Sequence, residues 1–413
     1  MTQAAAPSRP PMLTMAQALD ALLSAARPLA QVEQLDTLDA NGRVLAAPVT
    51  STLRVPPADN TSMDGYAMRA ADVPAAGARL RVSQRIPAGH VGTELQPGTA
   101  ARIFTGGLIP PGADAVVMQE QCTAEGEDVI VNHVPQSGEW IRRAGEDIEA
   151  GSVILPAGTR LTPQALGLAA SVGQAKLDVV RRVRVAVFFT GDELAMPGEP
   201  LKPGAIYNSN RFTLRGLLEN LGCEVTDFGI VPDTLAATRE TLRRAAQGHD
   251  LIITSGGVSV GEEDHIKPAV EAEGRLDMWQ IAIKPGKPLA FGQVTSAGSE
   301  PAFFLGLPGN PVSSFVTFLL FVRPFILRQQ GVTDVAPRRL PLRADFELNK
   351  GDRRNEFLRA RINAEGGLDL FPNQSSGVLT STVWGDGLID NPPNQAIARG
   401  DTVQFIPFDG LLA

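Results

Sequence analysis

The stretch VRVAVFFTGDE (183–193) decides the fold of this chain, because it joins a buried strand to a polar turn. Residues Val183–Phe189 are apolar apart from one arginine, and a strand that is covered on both faces shows such a continuous run rather than an alternation. A polar loop, Thr190–Asn210, and a predicted helix, Arg211–Leu221, follow the strand. Strand, loop and helix in this order form the repeating step of an α/β sheet.

The same step recurs toward the C-terminus. The further predicted strands and helices, in chain order, are Val225–Ile230, Thr234–Ala246, Leu251–Ile253, His265–Glu273, Leu289–Val294, Phe303–Leu307 and Val312–Leu327. Their alternation predicts a parallel, doubly wound α/β sheet over residues 182–334, with helices on both of its faces.

The regions on either side of this sheet have the pattern of β structure. Within residues 47–146, short apolar runs such as Ala115–Met118 and Val129–Val134 alternate with Gly/Pro turns, which predicts an inserted β domain. Residues 335–413 are β-like again, with turn signals between the runs, and predict a C-terminal β-barrel-like domain.

Two remaining segments, residues 12–46 and 147–181, are expected to form one small α/β linker domain at the N-terminal side. Thr14 can cap a first helix, and Thr162-Pro163 can begin a second one. If these segments pack together, the β domain is an insertion between them. The sequence therefore predicts a multidomain α/β and β protein of four domains.

The composition narrows the classes of protein. The 413 residues carry a net charge of −8, which argues against nucleic acid as a partner. Four histidines and two cysteines are too few for a disulfide framework or a CxxC zinc site, so oxygen ligands and magnesium are favoured. The longest apolar stretch, Phe315–Val322, is far shorter than the ~20 residues that cross a bilayer, and Met1–Met15 lacks the apolar segment of a signal peptide. We therefore expect a soluble, cytoplasmic protein without membrane contact.

Three carboxylates follow the ends of successive predicted strands. Glu193, Asp233 and Asp264 close the loops after the first, second and third strand, at the edge where open α/β sheets bind ligands. A single acid in a loop is commonly a turn former or a helix N-cap. Three at equivalent strand ends would repel one another without a cation among them, which favours a site for a hard divalent ion.

The loop before Asp264 is rich in glycine and in small hydroxyl side chains. Its candidate ligand-binding residues are Ser255, Gly256, Gly257, Ser259 and Gly261. The GxxxxG spacing resembles a P-loop, but two glutamates, at positions 262 and 263, stand where Lys and Ser/Thr belong, which excludes a Walker ATPase. Backbone N–H groups remain, and these suit phosphate oxygens. A flexible connector is the alternative, less favoured because the glycine pair directly follows a buried strand.

Two Pro/Gly-rich segments lie near this loop in the predicted fold. In Lys284-Pro285-Gly286-Lys287-Pro288, the prolines limit the backbone, so both ammonium groups can face one anion with little ordering cost. A solvated loop would have the same composition. Pro308-Gly309-Asn310-Pro311 follows the last predicted strand at the ligand-binding edge.

Taken together, these segments resemble the molybdopterin molybdenumtransferase family, which acts in the last step of molybdenum cofactor synthesis. The matching segments, in family order along almost the whole chain, are Ser62–Ala67, the segment around Thr105, Gly145–Asp147, Thr190–Leu194, Val231–Asp233, Ser255–Asp264, Lys284–Pro288 and Gly306–Ser313. The resemblance implies an elongated homodimer, whose cleft is shared between the β domain of one subunit and the α/β and C-terminal domains of the other. It also implies that molybdate and adenylylated molybdopterin are the substrates, that AMP is released and that Mg²⁺ is the cofactor.

The resemblance further implies roles for individual residues. Those expected around substrate and magnesium are Asp64, Thr105, Asp147, Glu193, Asp233 and Asp264, of which the last three are the expected metal ligands. Those expected to hold molybdate are Lys284, Lys287 and Ser313, with Pro308, Asn310 and Pro311 around the cofactor. In the C-terminal domain the resemblance implies an arginine, which is Arg354 or Arg359, and a serine, which is Ser375 or Ser376.

Two other functions remain open. The chain could carry molybdopterin without catalysis, although the presence of all three loop carboxylates favours an enzyme. It could also be a pterin- or nucleotide-phosphate hydrolase, although water needs no second anion site such as the two lysines suggest. An adenylyltransferase that supplies the intermediate and the maturation proteins of molybdoenzymes are the expected protein partners.

Overall fold

The computed structural model describes residues 12–258, 265–295 and 300–412, and these divide into two compact units. The first unit comprises the described residues up to Glu33, together with Gly42–Ala46 and the chain from Asp178 onward. The second unit comprises Gln34–Asn41 and Ala47–Leu177. The chain crosses between the units four times, and two of these crossings lie within the strands Val32–Asp36 and Lys176–Val180.

A six-stranded sheet forms the centre of the first unit. Across the sheet, its strands are Glu224–Val231, Arg184–Thr190, Leu251–Ser255, Ala302–Leu307, Pro288–Val294 and Gly274–Gln280. The first four are parallel, as the sequence predicts. The last two are antiparallel to their neighbours, so the expectation of a wholly parallel sheet is wrong at this edge. The short connection between these two strands contains no helix that could carry the chain back across the sheet, so the chain reverses direction.

Helices cover both faces of this sheet. Val185 and Phe189 point to one apolar cluster, whereas Ala186 and Phe188 belong to another, so the strand Arg184–Thr190 is buried on both sides. One cluster includes residues of the helices Met15–Ala25, Ser209–Asn220, Pro311–Thr317, Phe318–Val322 (a π-helical turn) and Arg323–Gln329. The other includes residues of the helices Leu235–Ala246 and Ile266–Glu273. The doubly wound arrangement predicted from the sequence is therefore confirmed.

The three consecutive helical segments from Pro311 to Gln329 form one continuous apolar stretch. It is long and apolar enough to cross a membrane, but 89% of it is buried inside the protein. This confirms the prediction that Phe315–Val322 belongs to a buried helix. Its role is to fill the core against the sheet.

The C-terminal part of the first unit is a second sheet, as predicted. Its strands, in order, are Ile283–Lys284, Asn355–Ile362, Gly387–Asn391, Thr402–Pro407 and Leu340–Arg343, with Leu368–Leu370 paired to Asn355–Ile362. Two short helices, Thr380–Trp384 and Asp409–Leu412, accompany it. The strand Ile283–Lys284 comes from the α/β region and runs parallel to Asn355–Ile362, which places Lys284 beside Glu356.

The second unit is built mainly of β structure, which confirms the predicted inserted β region. Its main sheet has the strands Ala115–Met118, Gly65–Met68, Thr99–Ile103, Ala78–Ile86, Asp128–Val131 and Cys122–Glu125. Two short pairs are Val49–Thr50 with Val153–Leu155 and Asn60–Thr61 with Ile141–Arg142. Three short 3-10 turns are Thr37–Asp39, Ala70–Asp72 and Gln119–Gln121.

The two helices expected to form a linker domain begin where the sequence predicts. Thr14 caps Met15–Ala25 in a capping box with Gln17, and Thr162 caps Pro163–Ser171. The first helix buries Ala18 and Leu22 in the core of the first unit, whereas Pro163–Ser171 belongs to the second unit. Their expected packing against each other stays a prediction. The division into four domains stays a prediction.

Candidate anion-binding site

A cavity of about 780 Å³ lies in the first unit, at the carboxyl ends of the strands Arg184–Thr190, Leu251–Ser255 and Ala302–Leu307. Parallel strands bring the loops after them to one edge of the sheet, which is why segments far apart in sequence meet there. The sequence-predicted residues that line the cavity are Glu193, Ser255, Gly256, Gly257, Lys284, Lys287, Pro308, Asn310, Pro311, Ser313, Arg354, Ser375 and Ser376.

The glycine loop is held against the ends of the neighbouring strands. The backbone N–H of Gly256 donates to the carbonyl of Leu307 at 3.1 Å, and the Ser255 hydroxyl donates to the carbonyl of Pro308 at 3.0 Å. Gly256 has a φ of +100°, and a Cβ there would lie 3.0 Å from the carbonyl oxygen of Thr190. Glycine is therefore required both by the backbone conformation and by this close approach.

Two asparagines in the wall were not singled out from the sequence. The Asn210 side-chain amide donates to the Ser255 hydroxyl and to the Gly309 carbonyl, both at 2.8 Å, and so ties two loops together. Asn208 accepts from the backbone N–H of Arg211 at 3.2 Å, while its buried Nδ2 has no partner among the described residues. An Asn-Ser-Asn sequence at the start of a helix indicates capping, and nothing in the local sequence distinguishes an N-cap region that also faces a ligand.

The two lysines of the Lys284–Pro288 segment have different surroundings. The Lys284 Nζ lies 3.0 Å from the Glu356 carboxylate and 3.4 Å from that of Asp352. Among the described residues, Lys287 has no carboxylate partner. Gly286 between them has a φ of +108°, and a side chain there would collide with the Thr317 hydroxyl, so the turn that presents both lysines needs glycine.

The structure distinguishes between the two candidate arginines. Arg354 lines the cavity and forms a two-pronged ion pair with Asp352, with Nε and an Nη 2.9 and 3.0 Å from the carboxylate oxygens. These hydrogen bonds hold the pKa of the Asp352 carboxyl far below its usual range. Arg359 is buried and donates instead to neutral oxygens of Ser381 and Ser375. Burial lowers the pKa of the Arg359 guanidinium to about 10.

The predicted metal ligands are brought together only in part. Glu193 lines the cavity, whereas Asp233, after the outermost strand, is not among the residues that line it. Asp264 lies outside the described residues, together with Ser259 and Gly261. Within the described ranges, no group of three His, Cys, Asp or Glu side chains is placed to hold a metal ion.

The remaining predicted residues belong to the second unit. Asp64 accepts two hydrogen bonds from Thr105, from its backbone N–H and from its hydroxyl, both at 2.7 Å. These two donors, in that order, lower the pKa of the Asp64 carboxyl, and the nearby Arg102 lowers it further. Asp147 is exposed, and its backbone N–H donates to Val55 at 3.0 Å. The structure thus pairs Asp64 with Thr105.

Fold and cavity together define a class: a multidomain α/β and β protein with a cavity lined by cationic side chains at the carboxyl edge of its sheet. Three family descriptions match successive parts of the chain. These are the "MoeA N-terminal region (domain I and II)" over residues 13–173, the "Probable molybdopterin binding domain" over 186–328 and the "MoeA C-terminal region (domain IV)" over 340–408. The chain belongs to the molybdopterin molybdenumtransferase family, a family of transferases in molybdenum cofactor biosynthesis.

Individual relatives agree over most of their length. A molybdopterin molybdenumtransferase of Haemophilus influenzae is 41% identical over 409 residues, covering 97% of this chain and 100% of the relative. One from a Nostoc species is 40% identical over 347 residues, covering 82% of this chain and 79% of the relative. The crystal structure of the molybdopterin biosynthesis moeA protein from Pyrococcus horikoshii superposes with a TM-score of 0.83 at 29% identity, covering 96% and 100% of the two chains. The resemblance inferred from the sequence is therefore confirmed.

Proposed function

We propose that this chain transfers molybdenum from molybdate to adenylylated molybdopterin and releases AMP. The observation that carries the proposal is the composition of one cavity. Its wall combines a glycine loop, whose backbone N–H groups suit phosphate, with the cationic side chains Lys284, Lys287 and Arg354, which suit a dianion. Relatives that match along nearly the whole chain bear the name of this activity.

The chain's own residues would act by position and charge. The loop Ser255–Val258 and the Pro308–Pro311 turn would hold the pterin phosphate and its nucleotide at the strand ends. Lys287 and Ser313, which both line the cavity, would bind the molybdate oxygens. Arg354 is preferred to Arg359 for molybdate, because Arg354 lies in the wall and Arg359 is buried behind it. Fixed charges that meet the charge developing in the transition state are an effective means of catalysis.

Magnesium is proposed as the cofactor on the family resemblance. Bound at the phosphate bridge, it would neutralise charge and act as a Lewis acid. Glu193 is the predicted ligand that lines the cavity, whereas Asp233 is outside the wall. The described residues therefore supply one candidate ligand and no complete set.

A homodimer is proposed as the functional form, in which the second unit of one subunit serves the cavity of the other. In the Asp64–Thr105 pair, Asp64 is half-buried and Thr105 is exposed, so a second surface can approach both residues. A partner surface would therefore complete it. We further propose a cytoplasmic location, with the substrate received from an adenylyltransferase and the product passed to the maturation proteins of molybdoenzymes.

The decisive experiment measures AMP release from adenylylated molybdopterin with and without molybdate. Transfer predicts AMP release that depends on molybdate, together with molybdenum bound to the pterin product. AMP release that is independent of molybdate would indicate a phosphohydrolase instead. No AMP release under either condition, with molybdopterin still bound, would indicate a carrier.

A further inference from the structure

The cationic side of the cavity is backed by two carboxylates that do not line it. Asp352 contacts both Arg354, at 2.9 and 3.0 Å, and Lys284, at 3.4 Å. Glu356, which is buried, contacts Lys284 at 3.0 Å and accepts from the backbone N–H of Asp352 at 2.8 Å. Of the three cationic side chains that the described residues place in the wall, two are thus paired with carboxylates outside it.

Among the described residues in and behind the wall, the formal charges cancel. Lys284, Lys287 and Arg354 contribute three positive charges, whereas Glu193 in the wall and the two backing carboxylates contribute three negative ones. A site built only for tight binding of a dianion would leave its cations unpaired, because charge-assisted hydrogen bonds to an oxyanion are the strongest available. Asp352 instead lies within ion-pair distance of both Arg354 and Lys284, where its negative charge offsets part of their positive charge.

We propose that Asp352 sets the oxyanion affinity of the cavity by partly neutralising Arg354 and Lys284, so that the bound anion is held loosely enough to be passed on. The inference rests on the proposed function and names a residue that sets the affinity for its anionic substrate. An enzyme that binds its substrate more tightly than the transition state gains no rate, so a molybdate that has to leave for the pterin dithiolene must not be held too firmly.

Asp352 could instead serve only to position Arg354, and the two roles predict opposite results. Asparagine has the shape of aspartate and keeps one oxygen that can accept from the Arg354 Nε, but it carries no charge. If charge neutralisation is the main role, removal of the Asp352 charge exposes the full charge of Arg354 and Lys284 to the anion, and the affinity for molybdate rises. If positioning dominates, the guanidinium is held less firmly and affinity falls.

The chain contains a matched control pair. Arg343 and Asp345 form the same two-pronged contact between residues two positions apart, at 2.8 and 2.9 Å. Neither of these residues lines the cavity. Asp345→Asn therefore removes the same kind of carboxylate from the same kind of ion pair without affecting the cationic wall.

The experiment measures the Kd of molybdate by equilibrium dialysis for the full-length wild type, Asp352→Asn and Asp345→Asn, together with KM and kcat for molybdate-dependent AMP release. We expect Asp352→Asn to bind molybdate at least tenfold more tightly, about 1.4 kcal/mol, with a lower KM and a lower kcat. Asp345→Asn should have the same Kd, KM and kcat for molybdate as the wild type. If Asp352→Asn fails to fold, Asp352→Ser carries the same expectation.

An unchanged or raised Kd for the Asp352 variant, with normal binding by Asp345→Asn, would overturn the inference and leave the proposed function intact. Absence of molybdate binding and of AMP release in the wild type itself would instead show that the proposed function is wrong. The two failures are therefore distinguishable.

Discussion

The cavity in the first unit and the Asp64–Thr105 pair in the second unit are built in different ways. The cavity is walled by loops that follow three strands and by part of the C-terminal sheet, and hydrogen bonds among these loops fix it before any ligand arrives. In the Asp64–Thr105 pair, the Asp64 carboxylate accepts one hydrogen bond from the Thr105 backbone N–H and one from the Thr105 hydroxyl. The first arrangement surrounds a cavity, whereas the second leaves one carboxylate open to an approaching surface.

This difference suggests that the two regions have different roles at the active site. An enclosed wall of cations and N–H donors can bind and orient an anion by itself. An exposed carboxylate interacts weakly, because water screens it, and becomes effective only when another surface excludes that water. We therefore expect the Asp64–Thr105 pair to act only within a dimer. A substitution in either region alone should abolish activity.

The largest expected effect is the loss and recovery of activity in mixed dimers. Asp64→Ala and Lys287→Met should each lower molybdate-dependent AMP release by about 100-fold or more, because each removes one half of a shared site. After the two variants are unfolded and refolded together, about half of the dimers are mixed and contain one intact site of two. Activity should then return to about a quarter of the wild-type value.

The controls for this experiment are each variant refolded alone, which should remain inactive. Recovery requires that the Asp64 and Lys287 of one active site come from different chains. Size-exclusion chromatography must show a dimer in all samples. A mixed sample that stays as inactive as its parents would mean that each site lies within one subunit, and the division of work argued above would be wrong.

A smaller effect tests whether the cavity is prebuilt, through the two lysines of one loop. Lys284→Met leaves the buried Glu356 carboxylate without its cation, and we expect the free energy of unfolding to fall by about 2 kcal/mol. Lys287→Met is the matched control, because it removes a lysine with no carboxylate partner among the described residues. Its unfolding free energy should stay within about 0.5 kcal/mol of the wild type.

Denaturant unfolding followed by circular dichroism measures both values. Equal stability of the two lysine variants would contradict the view that Lys284 is part of a fixed ion-pair network. It would also weaken the argument that the cationic wall is in place before an anion binds.

The sequence predicts the cavity well because strand order alone determines which loops meet. Ser255 and Pro308 are more than fifty positions apart, yet both follow strands of one parallel sheet, so their meeting needs no knowledge of side-chain packing. Lys284 and Lys287 reach this edge for another reason: the strand that they precede, Pro288–Val294, is antiparallel to Ala302–Leu307.

The part of the wall that the C-terminal region supplies could not be predicted in the same way. Arg354 and Arg359 lie in one short segment, and only the pairing of the strand Asn355–Ile362 decides which of them faces the cavity. The sequence also does not predict the antiparallel edge strand Gly274–Gln280. Its sequence, GRLDMWQ, lacks the continuous apolar run that marks the buried strands. The backing carboxylate Asp352 carries no motif, and its role follows from distances that no spacing reveals.

The smallest expected effect concerns the pKa of Asp64, which lies below its ordinary value chiefly because the backbone N–H of Thr105 and then its hydroxyl donate to it. Thr105→Val removes the hydroxyl and keeps the backbone donor, so the pKa should rise toward the ordinary value without reaching it. Carboxyl carbon-13 NMR titration of the full-length protein measures this rise, and Thr123→Val, in the same sheet, is the control that should leave Asp64 unchanged. An unchanged pKa in Thr105→Val would mean that the hydroxyl does not prepare the carboxylate. Any change that Thr105→Val makes to activity would then have to come from direct contact between its hydroxyl and the substrate.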